Sequence, residues 1–111
     1  MRRVIAFACD DATLIGSLDE GDGATGLLIV SGGNEVRGGA HRGMAQLAAR
    51  LAADGVPVFR YDRRGVGDSG GANGGWESAA PDLAAALATF RAETGVTRVI
   101  GFGNCDAAAL L

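Results

Sequence analysis

The chain has 111 residues, of which 48% are hydrophobic and 21% are charged, and this balance favours one folded globular domain over a disordered segment. Its formal net charge is −3, and all ten basic residues are arginine, so the composition argues against a nucleic-acid partner, which requires a basic surface. No apolar run is long enough to span a bilayer. Two cysteines are too few for a disulfide framework, and no signal-peptide pattern opens the sequence, so we expect a reducing, cytoplasmic location.

Apolar runs and helical periodicities alternate along the sequence. Runs at residues 4–8 and 12–18 predict two strands that are too close together for an intervening helix, so we expect an antiparallel hairpin. The continuous apolar run at residues 26–30 is typical of a strand in a parallel sheet covered on both faces. The further predicted elements are a helix at residues 41–53, a strand at 56–61, a helix at 80–93, a strand at 96–102 and a helix that begins at Asn104.

Two helices are predicted from apolar residues that recur every three or four positions. Gly55 follows the first helix and is free to adopt the left-handed conformation that ends helices, whereas Pro81 fits the first turn of the second. Strands that alternate with helices predict an α/β fold, with a mostly parallel sheet and the helices on opposite faces. The apolar positions are Met44, Leu47, Ala48 and Leu51 in the first helix, and Leu83, Leu87 and Phe90 in the second.

A candidate nucleophile lies where the last predicted strand turns into the last predicted helix. The sequence there fits the sharp turn G-x-S-x-G, with Cys105 in place of Ser and with Gly103 and Ala107 as the small flanking residues. A helix N-terminus favours the thiolate, and the backbone N–H of Asp106 would face a developing oxyanion. A small buried cysteine that packs under the sheet fits the same residues.

A glycine-rich loop after the third predicted strand is the candidate source of a second oxyanion donor. Gly33 is the predicted donor, with Asn34 as second choice, although the segment also fits a plain glycine-rich turn. Arg37 and Arg42 flank this loop. They could bind an anionic substrate, but we expect solvated arginine side chains.

A polar turn follows the fourth predicted strand at residues 62–69 and fits the pattern D-x-R-G-x-G-x-S. We expect a structural role, in which the side chains of Asp62, Arg64, Asp68 and Ser69 satisfy backbone groups. The glycines also fit the dinucleotide pattern G-x-G-x-x-G, which needs a helix to start at the turn. More glycines follow instead, so a Rossmann-type domain is disfavoured. The glycines of that pattern are Gly65, Gly67 and Gly70.

These motifs, in this order, resemble the α/β-hydrolase superfamily over the whole chain. Residues 32–42 and 59–69, together with the turn around Cys105, look more specifically like exosortase A system-associated hydrolases of type 1. That family is encoded with exopolysaccharide and exosortase genes in Gram-negative bacteria. The single histidine, His41, precedes the candidate nucleophile, whereas the superfamily's order is nucleophile, acid, histidine, so we interpret His41 as a capping or loop-packing residue.

The resemblance implies a catalytic acid and histidine beyond the nucleophile turn. We therefore expect residues 1–111 to be the N-terminal portion of a single α/β-hydrolase domain, with an exposed sheet edge and little activity alone. The expected reaction is transfer of an acyl group from a small-molecule ester or thioester to water, with Cys105 as nucleophile and no cofactor or metal. The alternative is a non-catalytic binding or scaffolding protein with a hydrolase-like fold.

Overall fold

The computed structural model describes residues 2–10, 12–30, 37, 43–62, 69–70 and 76–103, with the backbone alone described for residues 76–79. These residues form a five-stranded sheet with a helix on each face. In chain order the elements are β1 (Arg2–Cys9), β2 (Ala12–Asp19), β3 (Thr25–Val30), α1 (Gly43–Ala53), β4 (Val58–Tyr61), α2 (Trp76–Glu93) and β5 (Arg98–Gly103).

The sheet has the strand order β1-β2-β4-β3-β5. β1 and β2 form the predicted antiparallel hairpin, and β2 pairs antiparallel with β4. β3 pairs in parallel with β4 on one side and with β5 on the other. The α/β fold with a parallel centre and an antiparallel first hairpin is therefore confirmed.

Alternation along the strands divides the core between the two faces. Ile29 of β3 and Val58 of β4 are buried against α1 through Ala48. On the opposite face, Phe59 of β4 stacks on Phe90 of α2, with the ring centroids 5.7 Å apart. The predicted apolar faces of both helices thus contact the sheet, on opposite sides as expected.

Helix α1 ends as the sequence predicts. Gly55 has a φ of 93°, in the left-handed region that glycine adopts without strain. Its N–H donates to the carbonyl of Ala52 at 2.9 Å, and the N–H of Val56 donates to the carbonyl of Leu51 at 3.0 Å. This pair of bonds satisfies carbonyls that the helix end would leave unpaired.

Helix α2 begins at Trp76 rather than at residue 80, so the expectation that Pro81 lies in its first turn is wrong. Proline lacks an N–H and disfavours helical backbone at the residue before it. For these local reasons a helix that contains Pro81 is expected to begin at residue 80 and not four residues earlier. The fully buried Asp82 accepts a hydrogen bond from the Cys9 thiol at 3.4 Å. Tertiary contact thus holds the helix against β1 directly after the proline.

Each strand also differs from its expected range by one or two residues at one or both ends. β4 starts at Val58 instead of residue 56, since Pro57 has no N–H to donate to the sheet, although its carbonyl accepts from Leu27 N–H at 2.9 Å. β5 runs from Arg98 to Gly103 rather than over residues 96–102. Within the described part of the chain, no helix has the length and apolarity to cross a membrane.

Candidate functional site

The carboxyl ends of the three parallel strands lie side by side. Val30, the last residue of β3, is aligned with Tyr61 of β4 and with Gly103 of β5. The segments that follow these three residues therefore leave the same edge of the sheet. Open α/β sheets bind their ligands at this edge, and all the motifs singled out in the sequence follow one of these strands.

The predicted catalytic residues themselves lie outside the described residues. This holds for Cys105 and for the two expected oxyanion donors, Asp106 and Gly33. It holds equally for the second-choice donor and for the histidine, Asn34 and His41. The described chain ends at Gly103 of β5, two positions before Cys105, so the strand that leads into the nucleophile turn is in place while the turn itself stays a prediction.

The turn after β4 has the structural role expected of it at both described ends. The Ser69 hydroxyl donates to the carbonyl of Asp62 at 2.5 Å and accepts from the N–H of Ile15 at 2.9 Å. The N–H of Asp62 donates to the carbonyl of Ile15 at 2.9 Å, and that of Gly70 donates to the carbonyl of Thr13 at 2.8 Å. The turn is thereby fastened to β2, and Arg64 and Asp68 lie outside the described residues.

Arg37 is not the solvated arginine that the sequence suggested. Its side chain is 17% exposed, and its guanidinium forms an ion pair with the fully buried carboxylate of Asp62. Its Nε donates to the hydroxyl of Ser17 at 2.8 Å, and its backbone N–H donates to the same Asp62 carboxylate at 2.7 Å. An arginine in a glycine-rich loop is normally expected to be solvated. Here the Asp62 carboxylate, which directly follows β4, is buried, and a buried carboxylate requires a positively charged partner such as Arg37.

A chain of charged side chains continues from Arg37 across the α1 face of the sheet. Arg60 donates through Nη1 to the carbonyl of Arg37 at 2.9 Å and approaches Asp19 at 3.5 Å. Asp19 in turn pairs with Arg2 at 2.9 Å. Burial of the guanidinium and, to a lesser degree, the nearby positive charge of Arg2 lower the pKa of Arg60, while Asp19 opposes both effects.

The sequence did not predict this series of contacts, in which Arg60 links Arg37 to Asp19. Ser17 and Asp19 point to the α1 face of β2, whereas Leu18 points to the α2 face. Asp19 directly follows the second predicted strand (residues 12–18), and Arg60 lies within the fourth (residues 56–61). A charged residue within a strand of the parallel core was the available signal, because an unpaired charge there is costly.

A cavity of about 390 Å³ opens at the opposite edge of the sheet, where the parallel strands begin. It is lined in part by the acidic residues Glu20, Asp22 and Glu93. This position separates it from the carboxyl edge, so it is not part of the candidate site.

Comparison with known proteins places the chain among hydrolases. The family model described as "Serine aminopeptidase, S33" matches residues 25–105. This span runs from the start of β3 to Cys105 and includes the whole carboxyl edge. A search of curated protein sequences found no match.

Solved structures of α/β hydrolases share the fold. An esterase of Pyrococcus furiosus, Pf2001, aligns over 99% of this chain and 42% of its own, with a TM-score of 0.80 and 20% identity. The α/β hydrolase GrgF from Penicillium sp. sh18 aligns over 95% and 38%, with a TM-score of 0.76 and 24% identity. An α/β hydrolase from Sphaerobacter thermophilus aligns over 97% and 37%, with a TM-score of 0.71 and 29% identity. The chain thus spans about two fifths of the length of these structures.

Proposed function

Since the chain belongs to the serine aminopeptidase S33 family of α/β hydrolases, we propose that it carries the nucleophile and the oxyanion donors of an acyl hydrolase. The proposed nucleophile is Cys105. The supporting observation is the parallel pairing of β5 with β3, which aligns Gly103 with Val30 at the carboxyl edge of the sheet. Cys105 and Gly33 follow these two residues after two and three positions.

In the proposed reaction, the Cys105 thiolate attacks the carbonyl carbon of a small-molecule ester or thioester. The backbone N–H groups of Asp106 and Gly33 donate to the oxyanion that forms. The carbon–oxygen or carbon–sulfur bond of the substrate then breaks, the leaving group takes a proton, and a thioester remains on Cys105. Water hydrolyses this thioester, which returns the thiol and releases the carboxylic acid.

We further propose that the chain is the N-terminal part of a longer cytoplasmic hydrolase. The solved structures it resembles are more than twice its length, and in α/β hydrolases the acid and the histidine follow the nucleophile. The complete gene is expected to encode an Asp and a His on later strands. A stop codon after residue 111 would contradict this and would favour the alternative of a binding or scaffolding protein.

Within the family, we propose a relation to exosortase A system-associated hydrolases of type 1. Two segments carry this resemblance, residues 32–42 and 59–69, and Arg37 of the first contacts Asp62 and Arg60 of the second. The proposal predicts that the gene lies among exosortase and exopolysaccharide genes. A gene neighbourhood without either would contradict it.

The test of the nucleophile is covalent labelling of the protein expressed from its complete gene. We expect p-nitrophenyl acetate to acylate one thiol, with release of p-nitrophenolate, and peptide mass mapping to locate the acyl group on Cys105. Cys105→Ala should abolish the labelling. The matched control is Cys9→Ser, which should leave it unchanged because the Cys9 thiol is buried against Asp82.

The thiolate content of Cys105 is measured separately by its alkylation rate as a function of pH. The sequence predicts a helix that begins at Asn104, and its N-terminus would lower the pKa of the Cys105 thiol below the ~8.5 of a free cysteine. A profile like that of a free thiol, or acylation that persists in Cys105→Ala, would remove Cys105 from the reaction and would favour the binding or scaffolding alternative.

A further inference from the structure

We draw no further inference here: the strongest candidate, the acidic cavity at the edge of the sheet where the parallel strands begin, is a cluster of carboxylates of which Glu20 and Glu93 already pair with Arg3, and no feature of the residues that the structure describes points to a ligand there.

Discussion

Gly16 in β2 leaves the space that the ring of Phe59 occupies. A Cβ at this position would lie 2.5 Å from Cζ of Phe59 and 2.9 Å from the carbonyl oxygen of Arg60. The ring could move, but the carbonyl belongs to the backbone of β4, with which β2 is paired. The absence of a side chain at Gly16 therefore allows the ring of Phe59 to lie against β2.

We expect Gly16→Ala to lower the free energy of unfolding by about 1–3 kcal/mol, because overpacked cores shift backbone and rotamers. The matched control is Gly95→Ala, where a Cβ meets nothing within 4 Å. That substitution should leave stability unchanged or raise it by up to about 1 kcal/mol. Urea unfolding of the two variants measures both effects, and equal midpoints would contradict the packing argument.

Asp19 is the anion between two arginines. Its carboxylate is 5% exposed and contacts both Arg2 and the buried Arg60. Removal of one partner from a buried pair leaves an uncompensated charge, so Asp19→Ala should cost about 3–5 kcal/mol. Glu20→Ala, at the neighbouring exposed carboxylate that pairs with Arg3, should change the urea midpoint little. Similar losses for the two variants would refute a specific role of burial.

At the scale of the elements, aromatic packing contributes to the attachment of α2 to the sheet. Phe90 is fully buried and stacks on Phe59, which itself contacts Phe7 of β1 with the ring centroids 5.8 Å apart. Gly26 of β3 makes room for the same ring, since a Cβ there would lie 2.5 Å from Cζ of Phe90. Phe90 thus packs directly on β3 and β4, and Phe59 links this contact to Phe7 of β1.

Phe90→Ala should therefore destabilise the protein by about 3–5 kcal/mol, through lost transfer energy and the cavity left behind. Phe102→Ala is the matched control, because this ring on β5 is 42% exposed and its loss should cost much less. The measurement is urea unfolding followed by far-UV circular dichroism. A smaller loss for Phe90→Ala than for Phe102→Ala would show that α2 is held by other contacts.

At the scale of the whole molecule, the two outer strands of the described sheet, β1 and β5, differ in the side chains that they expose. Within the described residues, β5 pairs on one side only, and its side chains Ile100 and Phe102 lie on the same face, 55% and 42% exposed. An unpaired strand with exposed apolar residues is a template for association. On β1, at the other edge, exposed Val4 follows the charged Arg2 and Arg3, which disfavour such contacts.

We expect the 111-residue chain to associate with itself as its concentration rises, and Ile100→Lys to reduce this association. Sedimentation velocity at several concentrations measures it directly. Val4→Lys, a matched apolar-to-lysine change on the other edge strand, should reduce association less. Association that is unchanged in Ile100→Lys would show that β5 is not the contacting surface.

The sequence by itself determined the local conformations and their order. Short apolar runs predicted all five strands. Apolar residues that recur every three or four positions predicted the buried faces of both helices. Gly55 marked the end of α1, and Asp62 and Ser69 marked the structural turn after β4. These features follow from interactions within a few residues of one another, or from burial patterns that repeat along one element.

Only the tertiary structure decided what depends on contacts between distant segments. The insertion of β4 between β2 and β3 joins segments far apart in the sequence, and the start of α2 at Trp76, before Pro81, did not follow from the local pattern. The same holds for Arg37, which the sequence presents as a loop cation and the fold converts into the partner of Asp62. The residues around Arg37 show no pattern that identifies Asp62 as its partner. The energetic cost of burying the Asp62 carboxylate arises only once the sheet has formed.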